Sequence, residues 1–145
     1  MRAVVQRVSR ASVNVAADTV GSIGAGLVVL VAFRIGDGEE TLEWMRRKLL
    51  GLRVFPDDDG KMNKDVVAVG GELLIVSQFT LYSDTTKGHR PSYIQAAPPA
   101  DAERLYDEFV DLMKNSPVRV QTGRFGAMMD VELVNHGPVT LIVDR

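Results

Sequence analysis

The sequence predicts an α+β fold: a mostly antiparallel, barrel-like β-sheet with two helices packed outside it. Three observations carry this reading. Short apolar runs of strand character outnumber segments of helical period, hairpin-like glycine turns recur between them, and no βαβ unit repeats. At 145 residues, 46% of them hydrophobic and 25% charged, the chain suits a single domain, residues 1–145.

Residues 2–14 place Val4, Val5, Val8 and Val13 among polar neighbours, an imperfect period of two that suits a strand with one wet face. The glycines of "GSIGAG" then make a turn before the apolar run Leu27 to Phe33, which reads as a strand buried on both faces. Asp37 and the acids Glu39 and Glu40 cap a helix to about Leu50, with Leu42, Met45 and Leu49 as its apolar stripe. After the polar loop "VFPDDDGKMNKD", Asp65 to Val69, Gly70-Gly71 and "ELLIV" resemble a hairpin. Pro98-Pro99 opens a second helix, with Leu105, Phe109, Leu112 and Met113 on one side, that closes near Asn115 before Pro117. Strands at Val118 to Gln121, Ala127 to Val134 and Val139 to Val143 complete the chain. The last two are separated by Asn135-His136-Gly137-Pro138, which reads as a hairpin turn whose proline either loses nothing or aims carbonyls at a ligand.

Composition excludes several classes of function. With no cysteine and only two histidines, His89 and His136, neither a thiolate nucleophile nor a zinc centre is available, and no metal or cofactor is expected. "DDDGKMN" carries the acids of a calcium loop, but the twelfth position from Asp57 is Ala68 where a bidentate Glu is required. "GSIGAG" lacks dinucleotide spacing, and Ser77 is not framed as a nucleophile elbow. Arg2, Arg7 and Arg10 break up the apolar N-terminal stretch, so it suits neither a secretory leader nor a membrane span, and a cytoplasmic setting is expected. A net charge of −2 argues against a general basic coat, although local clusters stand at Arg46-Arg47-Lys48, Lys87 to Arg90 and Arg124.

The stretch "ELLIVSQFTLYSD" sets Ser77, Gln78 and Thr80 into a hydrophobic run. In an unbroken strand these would be polar residues facing water. A bend near Gln78 would instead turn successive backbone N–H groups toward one point, where with the Ser77 hydroxyl they would hold an oxyanion.

"SQFTL" at 77–81 and "NHGPVT" at 135–140 together resemble the paired signature of the D-aminoacyl-tRNA deacylases. "QRVSRASV" at 6–13, "GKMN" at 60–63, "RPS" at 90–92 and "QTGRFGAMM" at 121–129 extend the resemblance nearly end to end. It implies a homodimer with active sites at the subunit interface, no membrane association, and a tRNA bearing a D-amino acid as substrate. Ser77, Gln78 and Phe79 would form the pocket floor and its oxyanion donors. Thr80 matches a position considered for the nucleophile, although no base is visible beside it and the 2′-hydroxyl of the RNA is the preferred assistant to water. Gly137 and Pro138 match a cis Gly-Pro tip that enters the neighbouring subunit's pocket and excludes an L side chain. Arg7 would brace that tip across the dimer, while Phe125 and Met129 would line the pocket for the terminal adenosine. Ser77 stands where a sibling branch acting on a mischarged L-amino acid has proline. Because exclusion of an L side chain cannot reject glycine, glycyl-tRNA mischarged on tRNA-Ala is an expected second substrate. Two other readings are an RNA-end binding module without activity and a small-molecule esterase using Thr80 or Ser77.

Overall fold

The computed structural model describes residues 1–145. Its spine is β1 (Arg2–Val15), which a two-residue turn with Ala16 at φ 54° joins to β2 (Asp18–Ile23). β3 (Gly26–Ala32) follows, so β2 and β3 run in series along one edge of β1, both antiparallel to it. The sequence reading missed β2, because Gly21 and Gly24 resemble turn residues. Gly21 instead permits close approach: a Cβ there would lie 2.6 Å from the carbonyl oxygen of Thr122, across the sheet closure.

β3 leads into α1 (Glu39–Leu50), which buries Leu42, Met45 and Leu49. Asp37 does not cap it; its carboxylate accepts the Arg34 N–H at 2.8 Å and pairs with the Met1 ammonium, and the N-cap is Gly38. The small pair β4 (Phe55–Pro56) and β5 (Met62–Lys64) precedes β6 (Glu72–Ser77). α2 (Pro99–Lys114) then connects β6 to β7 (Arg119–Thr122), and β8 (Asp130–Asp144) ends the chain.

The sheet is antiparallel wherever β1 takes part, as expected, but mixed as a whole. β6 lies parallel to β3 and β7 lies parallel to β6, so the two helices sit in successive parallel crossovers. The expected hairpin at residues 65–76 is absent: Asp65 closes a turn by accepting the Ala68 N–H at 2.8 Å, and Val66 is buried as its anchor. The connection through α1 is long enough for β6 to arrive in either direction, and parallel placement buries both faces of its Leu73 to Val76 run. Odd-numbered residues of β3 and β6, such as Val29 and Ile75, face the helices. Even-numbered ones, such as Val28 and Leu74, meet Val13 and Ile23 in a smaller core where the sheet curls toward closure.

The C-terminal segments also differ from a hairpin. Both halves of β8 pair antiparallel with β1, from Arg2↔Asp144 to Gln6↔Thr140 and from Val8↔Asn135 to Asn14↔Asp130. Residues 136–139 are therefore an excursion within one long strand, opposite Arg7. Every peptide bond is trans, Gly137–Pro138 included, which corrects the cis expectation. The detour is made instead by Gly137, at φ 112° in a region that glycine enters readily.

Candidate active site

Ser77 is the last residue of β6, and its neighbour Gln78 is held to β3 by donating its N–H to the Val31 carbonyl at 2.7 Å. The chain then bends. Gln78 adopts φ −147°, ψ 72°, and Phe79–Tyr82 form one 3-10 turn that begins with the Leu81 N–H bonded to the Gln78 carbonyl at 3.1 Å. At the start of such a turn the N–H groups of Phe79 and Thr80 have no carbonyl of the turn to bond, so they are available as donors. The run that begins as an apolar strand thus ends as a donor-lined corner, the second of the two conformations that its sequence allowed.

Side chains secure that corner. The Gln78 amide donates to the Thr80 hydroxyl oxygen. Arg2 donates to the Leu81 carbonyl at 3.0 Å and lies over the Tyr82 ring, while its guanidinium holds the Asp144 carboxyl below its ordinary pKa. Phe79 is 55% exposed and meets Tyr93 edge-on, with ring centroids 5.2 Å apart. An exposed aromatic on an otherwise well-buried strand end is a surface prepared for contact rather than for the core.

The segment containing Phe125 lies at the neighbouring strand end. Gly123, just past β7, donates its N–H to the Ile75 carbonyl at 3.0 Å, which sets Thr122 to Phe125 beside the end of β6. The same carbonyl accepts the Tyr106 hydroxyl at 2.9 Å, and the Tyr106 ring packs on Phe125 with centroids 5.8 Å apart. Burial pushes the Tyr106 phenol pKa up, which keeps that donor protonated. Ser77 to Thr80 and Phe125 therefore follow the carboxyl ends of the adjacent parallel strands β6 and β7, where open sheets leave room for ligands. Met129 belongs to the smaller core, and its sulfur would lie 2.7 Å from a Cβ on Gly123.

Gly137, Pro138 and Arg7 form a separate unit. Arg7, the chain's one buried charged residue, donates from Nε to the His136 carbonyl at 3.1 Å and from Nη1 to the Val54 carbonyl. Within the chain, Arg7 thus holds the backbone at the foot of the tip. A Cβ on Gly137 would collide with the Arg7 guanidinium, so glycine is required there by contact as well as by its backbone angle. Asn135 ties the base of the excursion, donating from Nδ2 to the carbonyls of Arg7 and Val139, both at 3.0 Å. Thr140 closes the loop of contacts by donating to Asn135 Oδ1 at 3.4 Å and accepting from Gln6 at 3.3 Å.

Sequence reasoning did not assign Asn135, Thr140, Tyr93 or Tyr106 to the site. The first two were visible as the flanks of "NHGPVT", but each also bonds a residue of β1, Arg7 and Gln6 respectively, far away in the chain. A cleft of about 310 Å³ between Arg10, Ser12, Ser22 and Glu132 contains none of the predicted site residues. No group of three or more His, Asp and Glu side chains is placed to hold a metal ion.

The chain matches the family profile described as D-Tyr-tRNA(Tyr) deacylase over residues 4–144. It is 57% identical over 145 residues to the D-aminoacyl-tRNA deacylase of Prosthecochloris aestuarii, with 99% of each chain covered. It is 55% identical over 144 residues to that of Desulfatibacillum aliphaticivorans, again with 99% of each covered. Among solved structures it is similar to the c-Myc DNA unwinding element binding protein, at 42% identity and a TM-score of 0.94, over 100% of this chain and 99% of the other. The protein belongs to the D-Tyr-tRNA(Tyr) deacylase family.

Proposed function

We propose that the protein is an ester hydrolase that cleaves D-aminoacyl-tRNA to free D-amino acid and tRNA, a chiral proofreading step of cytoplasmic translation. The observation that carries this reading is the corner at Ser77 to Thr80, where a buried strand stops and a 3-10 turn begins, whose first N–H groups have no carbonyl partner within the turn. As water attacks the ester carbonyl, negative charge gathers on its oxygen. Fixed donors at that point stabilise the charge without reorganising.

The attacking group is water. Thr80 is a poor nucleophile here, because its hydroxyl oxygen accepts from the Gln78 amide and no histidine, carboxylate or lysine bonds to it. The free 2′-hydroxyl of the esterified ribose is then the group best placed to position the water. Phe125 offers a face for the terminal adenine, and Phe79 borders the same corner.

Selection against the L substrate falls to Gly137-Pro138, whose carbonyls accept from the substrate's α-amino group while an L side chain meets backbone. This function requires a homodimer. Arg2 holds the corner and Arg7 holds the excursion. They are five positions apart along β1, about 16 Å at the usual strand rise, and an odd spacing puts them on opposite faces. That separation supports a tip that serves the site of a second copy rather than its own.

The direct test offers D-tyrosyl-, L-tyrosyl- and glycyl-tRNA to the purified protein and follows loss of the ester. The D substrate should be cleared, the L substrate spared, and glycyl-tRNA cleared at higher enzyme concentration, because glycine has no side chain to exclude. Equal loss of the D and L esters, or loss of neither, would overturn the reading.

A further inference from the structure

We propose that the loop closed between Asp84 and Ser92 is a phosphate-gripping arm, holding the RNA backbone next to its esterified end through Lys87 and Arg90. The inference rests on the RNA-ester reading above and adds the surface on which the strand lies.

Charge points to this loop. Seven of the chain's seventeen Lys and Arg side chains are tied up in ion pairs with carboxylates. Lys87 and Arg90 are not; both are exposed, and no acid occurs between Asp84 and Asp101. Asp84 itself is occupied, since its Oδ1 accepts both the N–H of Thr86 at 2.9 Å and its hydroxyl at 2.7 Å. The rival basic run on α1 is less available. Glu43 lies against both Arg46 and Arg47, and Lys48 lies over the Trp44 ring.

The loop also has an ordered base. Asp84 and Ser92 exchange backbone hydrogen bonds of 2.7 and 2.9 Å, and Gly88, at φ 69°, turns the tip between the two cations. Its far end is fastened to the end of β3 by the Arg34↔Ala96 bridge and by the Ala97 N–H, bonded to the Phe33 carbonyl at 2.9 Å. Tyr93 packs against Phe79, so the arm is built directly onto the corner that holds the reacting ester. Cations on a preformed loop beside the site allow an acidic protein to hold RNA at its end, where few phosphates need neutralising.

The test uses uncharged tRNA as probe and compares the full-length protein with Lys87→Ala/Arg90→Ala, Lys87→Arg/Arg90→Lys and an α1 control, Lys48→Ala/Arg53→Ala, which removes one cation from the last turn of the helix and one just past its end. Removing two phosphate contacts should weaken Kd about tenfold at low salt and reduce the slope of log K against log salt by about 1.5. KM for D-tyrosyl-tRNA should rise in parallel, with the loss falling on KM rather than kcat. The charge-conserving pair should retain parental binding, and the α1 control should change neither Kd nor slope. Melting temperatures within a degree or so of the parent's are expected for these exposed sites. Unchanged Kd and slope in the alanine pair, an equal loss in the α1 control, or no tRNA binding by the parent would each overturn the arm. A parent that binds tRNA but cleaves no D-aminoacyl ester would instead overturn the hydrolase reading, and the binding comparison would still decide the arm.

Discussion

At the residue scale, the decisive side chains are those whose partners are backbone carbonyls. Arg7 is buried because two carbonyls, His136 and Val54, accept its guanidinium, so its cost of desolvation is offset by directed hydrogen bonds. Thr80 is different: it is near the site, yet its environment does not activate it. Thr80→Ala should therefore keep deacylation of D-tyrosyl-tRNA within about tenfold of the parent, less than about 1.4 kcal/mol in the barrier. A loss of a thousandfold or more in single-turnover rate would restore threonine as the nucleophile. Residue identity was the most legible level of this protein. Ser77, Gln78, Phe79 and Phe125 stand out from motifs and follow the ends of the adjacent strands β6 and β7, whereas Asn135 and Thr140 do not stand out, because the groups they bond on β1, the Arg7 carbonyl and the Gln6 amide, are far away in the chain.

At the element scale, strand ends and strand direction made the site. β6 was recognised as buried from its apolar run, but its direction was misread, since a two-residue Gly-Gly step resembles a hairpin whether or not one forms. Glu72, the first residue of β6, shows how that strand is anchored. Its Oε1 accepts Arg119 of β7 and its Oε2 accepts the Gly24 N–H, each at 2.8 Å. The Arg119 hydrogen bond, followed by the Gly24 one, holds the carboxyl below its ordinary pKa. The folded state thus binds this proton less readily than the unfolded chain. Its stabilisation is full above the ordinary carboxylate pKa and is lost as pH falls through the folded value. Glu72→Gln should lower Tm by about 2–4 °C at neutral pH, the effect of roughly 1 kcal/mol in a domain of this size. The gap between the two proteins should close as pH is lowered from roughly 5 to 3, where acid abolishes the same interaction in the parent. A Tm difference that is constant across that range would show that the carboxylate contributes nothing by its charge.

At the scale of the whole molecule, the proposed site needs two chains, and a mixing experiment tests that directly. Gln78→Ala removes the residue at the strand-to-turn corner but leaves the excursion intact, while Pro138→Ala alters the excursion and leaves the corner intact. With the Gln78→Ala chain in excess and the two exchanged, most competent corners face an intact tip from the other chain. Discrimination against L-tyrosyl-tRNA, weakened in Pro138→Ala alone, should return. If mixing restores none of it, each tip serves its own chain or none.

By itself the sequence determined the two-helix α+β class, the double-faced burial of β3, the extent of α2 from its proline to Asn115, and the residue types of the site. These follow from local pattern and from side-chain chemistry, which neighbours a few residues away suffice to define. Only the tertiary structure decided that β6 and β7 run parallel, that residues 136–139 leave and rejoin a single strand, that their Gly-Pro bond is trans, and that Arg7 grips them from within. The physical reason is that strand direction and register are set by pairing with segments far away in the chain. "NHGP" between two apolar runs is compatible with a hairpin until β1 is seen to pair with both.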